Sequence, residues 1–332
     1  MITINSSIDQ VLNQFTQKDI LSVNRGSFES FHIFSKLEDR FKDDLNNDEL
    51  LYMYYNMKLN EDCLNLYRKK LYHVADLTFQ KIMAEKREYN PLVSAGMKAL
   101  FHSMVGYREY ALGNFEEALA NMRTGIEYSE LQGKTFPFYV SVIAEQWLNI
   151  VRVYIAQKKR EKVIEESIDL FLMCLTSQHK NADTSKHFDM LDDSKKVSSF
   201  FHVSNSIYRS LMKNFKGDAQ RVNSYFKEII AGICQNQKFQ ESDTPLIRSL
   251  RLLNESFQAL EQNQLEFVEH LNEEFGVVQK TSLYLQKIIL ENFVSVCQQL
   301  GQAISPHPNY PIFQDIVVNY LKSEVLYQKK AA

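Results

Sequence analysis

The stretch Gly106-Tyr107-Arg108-Glu109-Tyr110-Ala111-Leu112-Gly113-Asn114-Phe115-Glu116-Glu117-Ala118 decides how this chain folds, because it recurs. A second copy begins at Trp147, with Trp147, Ile150, Val151 and Tyr154 at helical spacing and Val163 following. A weaker copy precedes both and carries Tyr72, Ala75, Phe79 and Ile82. Taking Ala75, Ala118 and Val163 as equivalents spaces the copies by 43 and 45 residues. Helix pairs repeated along a chain stack on their neighbours into a solenoid and do not fold around one central core.

The rest of the chain agrees with helices. Leu71, Val74, Ala75, Thr78, Phe79 and Ile82 form one apolar stripe, and Leu285, Ile288, Ile289, Phe293, Val296, Cys297 and Leu300 form another. Pro91, Gly133 with Pro137, Pro245 and Ser305-Pro306-His307-Pro308 punctuate the pattern where helices end or begin. Ten glycines and six prolines in 332 residues are less than half the usual usage of about 7% and 5%. Sandwiches, barrels and doubly wound sheets need more turns than that supplies. The expected class is all-α.

Net charge is -3, from 38 Lys and Arg against 41 Asp and Glu, so nothing global attracts nucleic acid or anionic lipid. No apolar run approaches the roughly 18 residues of a membrane span. Cys63, Cys174, Cys234 and Cys297 are widely scattered and read as reduced core residues. With no export signal at the N-terminus, a cytoplasmic location is expected.

The stretch at 106–118 resembles the tetratricopeptide repeat (TPR). In that family a small residue on the first helix admits the second, a Gly-polar-aromatic turn follows, and an Ala on the second helix fills the crossing. Gly106, Gly113, Phe115 and Ala118 match those slots, and Gly125 matches a later small one. Glu109 departs from the pattern, which usually has an apolar or aromatic residue there. In the second copy Val163 takes the Ala slot and Lys158-Lys159-Arg160 lacks the glycine. Further on, Val222, Phe226 and Ile229, then Val268, Leu271 and Phe275, suggest more second helices. The resemblance implies a TPR-like superhelix of stacked antiparallel helix pairs. It divides the chain into an N-terminal helical segment at 1–50, repeats at 51–300 and a C-terminal capping helix at 301–332, striped by Phe313, Ile316, Val317, Tyr320, Leu321 and Val325.

Little points to catalysis. None of the motifs H-E-x-x-H, G-x-S-x-G, G-x-G-x-x-G or the P-loop occurs. His179, Asp183, His187, Asp189, Asp192 and Asp193 match no metal-site spacing and read as a solvated loop over 178–196. No cofactor and no metal are expected. Residues 1–60 hold six Lys and Arg against nine Asp and Glu, which disfavours a DNA-binding module there.

The expected function is therefore non-enzymatic binding of a protein or peptide, a second copy of the chain included, with no role at a membrane. In a TPR-like superhelix the first helices line the concave wall. Glu145, Asn149 and Arg152 fall on that side, as Tyr107 and Asn60 do in neighbouring repeats and Asn205, Arg209 and Arg251 do further on. An Asn amide holds a peptide backbone through paired donor and acceptor, and Arg grips a carboxylate. An alternative is a bacterial peptide-sensing regulator resembling the Rap and PlcR group, whose N-terminal helices act on a target protein or DNA. Glu49-Leu50-Leu51-Tyr52-Met53-Tyr54-Tyr55, ahead of the first repeat, loosely fits that layout.

Overall fold

The computed structural model of the chain describes residues 41–84, 89–133, 137–189, 191–236, 244–262 and 281–299, with 267, 270, 271 and 274. The capping helix, most of the N-terminal segment, and Val268 and Phe275 lie outside the described residues. Among the described residues every regular element of the all-α chain is a helix: α1 Asn47–Arg68, α2 Tyr72–Ala84, α3 Pro91–Leu112, α4 Phe115–Gly133, α5 Pro137–Gln157, α6 Arg160–Thr176, α7 Ala182–Phe188, α8 Asp193–Asn214, α9 Ala219–Asn236, α10 Pro245–Gln262 and α11 Leu283–Gln299. They fall into two compact units, one ending at Val203 and the other beginning at Ser204, within α8.

Helix starts follow from local chemistry. The Asn46 side chain accepts from the Glu49 N–H while the Glu49 carboxylate accepts from the Asn46 N–H, both at 3.0 Å, a reciprocal capping box. Pro91, Pro137 and Pro245 each occupy the first position of a helix, where the missing N–H costs nothing. Asn90 caps α3 by accepting from the Val93 N–H at 3.0 Å.

The turns between paired helices repeat in atomic detail. α3 ends at Gly113, whose φ of 88° is left-handed, and the Asn114 N–H reaches back to the Glu109 carbonyl at 2.8 Å. α1 ends the same way at Lys70, with φ 60° and a 3.0 Å bond from the Leu71 N–H to Leu66. α5 does so at Lys158, with φ 59° and a 3.1 Å bond from the Lys159 N–H to Tyr154. This is the Schellman end, which satisfies carbonyls that the last turn leaves open. Five residues after each left-handed residue stands a fully buried small one, Ala75, Ala118 or Val163. The α8–α9 turn has one extra residue: Lys216 and Gly217 are both left-handed, Gly217 bonds Met212 at 2.9 Å, and Val222 is the buried residue that follows.

In the unit ending at Val203, α1 packs on α2 and α3, α3 on α4 and α5, α4 on α5, and α5 on α6. α1 thus meets the next pair through α3, whereas α5 meets the pair before it mainly through α4. Close approach depends on side chains being absent: a Cβ at Gly106 would lie 2.8 Å from the Met122 Cγ and 3.3 Å from the Ala118 carbonyl oxygen. One core cluster joins Met53, Met57, Val93, Ala99, Tyr139 and Val142, and a second joins Cys63, Tyr67, Ala75, Ile82, Met104 and Val105.

Glu109, the departure from the family pattern, is buried within a polar network. Its carboxylate takes Arg108 and, at 2.7 Å, the Asn114 amide. Arg108 also donates to the Tyr67 hydroxyl at 2.8 Å, pairs with Asp76 at 3.3 Å and covers the Phe79 ring at 4.6 Å. The anion is thus compensated where an apolar residue would have packed.

The expected loop at 178–196 is corrected by the structure. It contains α7, which packs against α4, α5 and α6 and buries Thr184, His187 and Phe188. Thr184 donates to Glu130 on α4 at 2.5 Å. Its polar composition hid these few buried anchors.

In the unit beginning at Ser204, α9 packs on α10 and α10 on α11. Tyr208 stacks on Tyr284 with ring centroids 4.3 Å apart and touches Phe226 at 5.8 Å. Asn292 donates to Ser256 at 2.9 Å in the α10–α11 contact.

Candidate functional site

α5 is buried around nearly its whole circumference, and Glu145 and Arg152 open a polar gap in that cover. Buried Asn149 lies between them on the same face, at spacings of four and three residues. Arg152 Nη1 donates to Glu145 Oε1 at 2.7 Å and to Asn149 Oδ1 at 2.5 Å. The other Glu145 oxygen sits 2.8 Å from His202 Nε2 on α8. Burial alone would raise the Glu145 carboxyl, but the Arg152 charge and the His202 hydrogen bond outweigh it and hold the group well below the usual carboxylate range. Side chains of Arg152, Glu145 and His202 are 26%, 33% and 29% exposed, so this hydrogen-bonded chain is screened yet reachable. The Arg152 Nε and Nη2 have no hydrogen bond among the described residues, which leaves one edge of the guanidinium open.

The row continues onto the neighbouring first helices. Tyr110 on α3 lies within electrostatic reach of Arg152; burial raises its hydroxyl, with Tyr107 adding and Arg152 opposing. Tyr107 and Tyr110 contact each other with centroids 5.7 Å apart. Arg68, at the end of α1, holds its guanidinium 5.5 Å from the Tyr107 ring centre and has no carboxylate partner among the described residues. Contacts thus join Arg68 to Tyr107 and Tyr110 across α1 and α3, and Arg152 and Asn149 to Glu145 and His202 across α5 and α8, with Tyr110 and Arg152 linked only by charge.

The remaining residues read from the sequence lie elsewhere. Asn60 is buried, and its amide donates to the Asn56 carbonyl at 2.8 Å. It stands ten residues ahead of Lys70, as the fully buried Leu148 stands ahead of Lys158. In the other unit Asn205 is also buried, and Arg209 donates to its carbonyl at 3.3 Å. Arg251 pairs with Glu255 at 3.0 Å, and His270 Nδ1 meets the other Glu255 oxygen at 2.7 Å.

Sequence reading missed Arg68 and Tyr110 and did not join His202 to Glu145. The signal for Tyr110 was present, three residues beyond Tyr107 on the same helix. Arg68 and His202 reach the row through the stacking of pairs, which spacing within one helix does not encode.

Among the described residues no group of three His, Cys, Asp or Glu side chains is placed to hold a metal ion. Cys63 and Cys174 are buried free thiols, and Cys234 is a free, partly buried one. Burial pushes Cys63 up to about 11 and Cys234 up to about 12, against thiolate chemistry. No described helix is long and apolar enough to cross a membrane. No family model, curated protein or solved structure matches this chain.

Proposed function

We propose that this protein is a non-enzymatic binding module that takes a peptide or an extended segment of a partner protein along the first helices of a TPR-like superhelix. The observation that carries this reading is the row from Arg68 to His202, in which two adjoining aromatic rings on α3 accompany charged groups on α1 and α5 and His202 on α8. Tyrosine offers a large rigid contact with a polar tip, and arginine offers a planar fork, the side chains that dominate binding hot spots. The repeated Schellman turns and buried small residues support the stacked arrangement such a wall requires.

The test is selection of a random peptide display library on the full chain. Enriched peptides are expected to lose binding to the Tyr107→Ala variant and to keep it on a variant of exposed Lys213 in the other unit. Enriched peptides indifferent to Tyr107→Ala and to Arg152→Ala would overturn the reading.

A further inference from the structure

We infer that the row is selective for acidic segments, with two anionic groups of the ligand received by Arg68 and Arg152 on either side of Tyr107 and Tyr110; this rests on the peptide-binding reading above. The argument is one of unmatched charge. Arg108, the arginine of α3, is engaged at all three nitrogens, by Tyr67, Glu109 and Asp76. Arg68 and Arg152 are not. Arg68 makes one long 3.5 Å bond to the Asn65 side chain and otherwise lies over Tyr107. Arg152 spends Nη1 on Glu145 and Asn149 and keeps Nε and Nη2, the edge that receives a carboxylate through two parallel bonds. Its fork is already oriented by two fixed acceptors, so a ligand would bear little of the cost of ordering it.

Between the two cations neither tyrosine hydroxyl has a hydrogen-bond partner among the described residues. The rings suit an apolar or aromatic residue placed between two acidic ones. Glu145 sharpens the selection. Arg152 balances its negative charge, and its two oxygens are taken by Arg152 and His202, so it is poorly placed to recruit a basic ligand. The open charges of the row are therefore positive, on a chain whose net charge is -3.

Three fluorescein-labelled peptides of one length separate the possibilities. One places Asp on both sides of Tyr, the second replaces each Asp by Asn, and the third by Lys. Binding to the full chain is followed by fluorescence anisotropy at low and high salt. The Asp peptide is expected to bind best, to weaken with added salt, and to lose about tenfold or more in affinity with Arg68→Ala and with Arg152→Ala. Lys213→Ala is expected to leave it unchanged. Equal binding of the Asp and Asn peptides, sensitive to Tyr107→Ala and indifferent to both arginine variants, would overturn the acidic preference and leave the peptide groove standing. Absence of binding by all three would overturn both. Circular dichroism melts of each variant identify any loss that comes from unfolding.

Discussion

Gly106 on α3 faces Met122 on α4 so closely that a Cβ at position 106 would sit 2.8 Å from the Met122 Cγ. Met122 can yield, being flexible, but the Ala118 carbonyl at 3.3 Å cannot move without its helix. Ala118 itself is fully buried in the same crossing. Gly106→Val and Ala118→Leu are therefore expected to destabilise the fold by about 1 to 3 kcal/mol each. Urea unfolding checks this, and an unchanged midpoint in both variants would place the α3–α4 contact elsewhere.

Lys158 and Gly113 play the same part at two helix ends, but only one is suited to it. A left-handed residue with a Cβ is strained by roughly 1 to 2 kcal/mol, and Lys158 is exposed, with no ion pair among the described residues. Lys158→Gly is expected to raise stability by a few tenths to about 1 kcal/mol, less than the full strain because glycine also loosens the unfolded chain. Gly113→Ala is expected to lower it by a similar amount. Thermal melts that move in the opposite directions would show that the turns are not equivalent.

These turns also mark what could be read from the sequence. Gly113, Ala118 and the helix-opening prolines each have one conformational use, so their spacing exposed the helix pairs. A lysine in a left-handed turn carries no such mark, which is why the end of α5 was legible only through its neighbours, Trp147 to Tyr154 before it and Val163 beyond it. α7 was hidden for a different reason: its anchors, Thr184, His187 and Phe188, are few, and polar residues surround them. At the site, spacing along α5 found Glu145, Asn149 and Arg152. It set Asn60 on the wall, yet one residue of offset turns a helical side chain by about 100°, and Asn60 is buried. Arg68 and His202 required the packing of neighbouring helices, whereas Tyr110 was within reach of spacing from Tyr107.

His179 supplies a pH dependence whose sign follows from its burial. Its ring lies 4.6 Å from that of Trp147, and Nδ1 accepts from the Asn181 N–H at 3.0 Å. Burial pushes it down from 6.5 to about 4, with Asp169 opposing and Lys180 adding. Between these values the unfolded chain binds a proton that the folded chain refuses, so stability is highest above about 6.5 and falls as pH drops toward 4. The expected loss between about pH 7 and 5 is on the order of 1 to 2 kcal/mol. Urea unfolding of wild type and His179→Gln across that window checks it, and an equal slope in both would remove His179 as the cause.

Glu145 acts at lower pH and through a different contact. Its carboxyl is depressed in the folded state, so the stability it contributes is present above the unfolded value of about 4.5 and is lost as pH falls through the folded one. Because the side chain is a third exposed, solvent screening limits the Arg152 pair to about 1 kcal/mol or less. A double-mutant cycle with Glu145→Ala and Arg152→Ala at neutral pH is expected to return a coupling of about 0.3 to 1 kcal/mol, which should vanish once Glu145 is protonated. Each single variant is expected to remain folded, because His202 still holds Glu145 when Arg152 is removed and Asn149 still holds Arg152 when Glu145 is removed. A coupling of several kcal/mol would mean that the pair is a buried structural bridge, and the open edge of Arg152 would then be sealed from any ligand. A coupling of zero at low salt would mean that Glu145 does not orient Arg152, and that the fork is set by Asn149 alone.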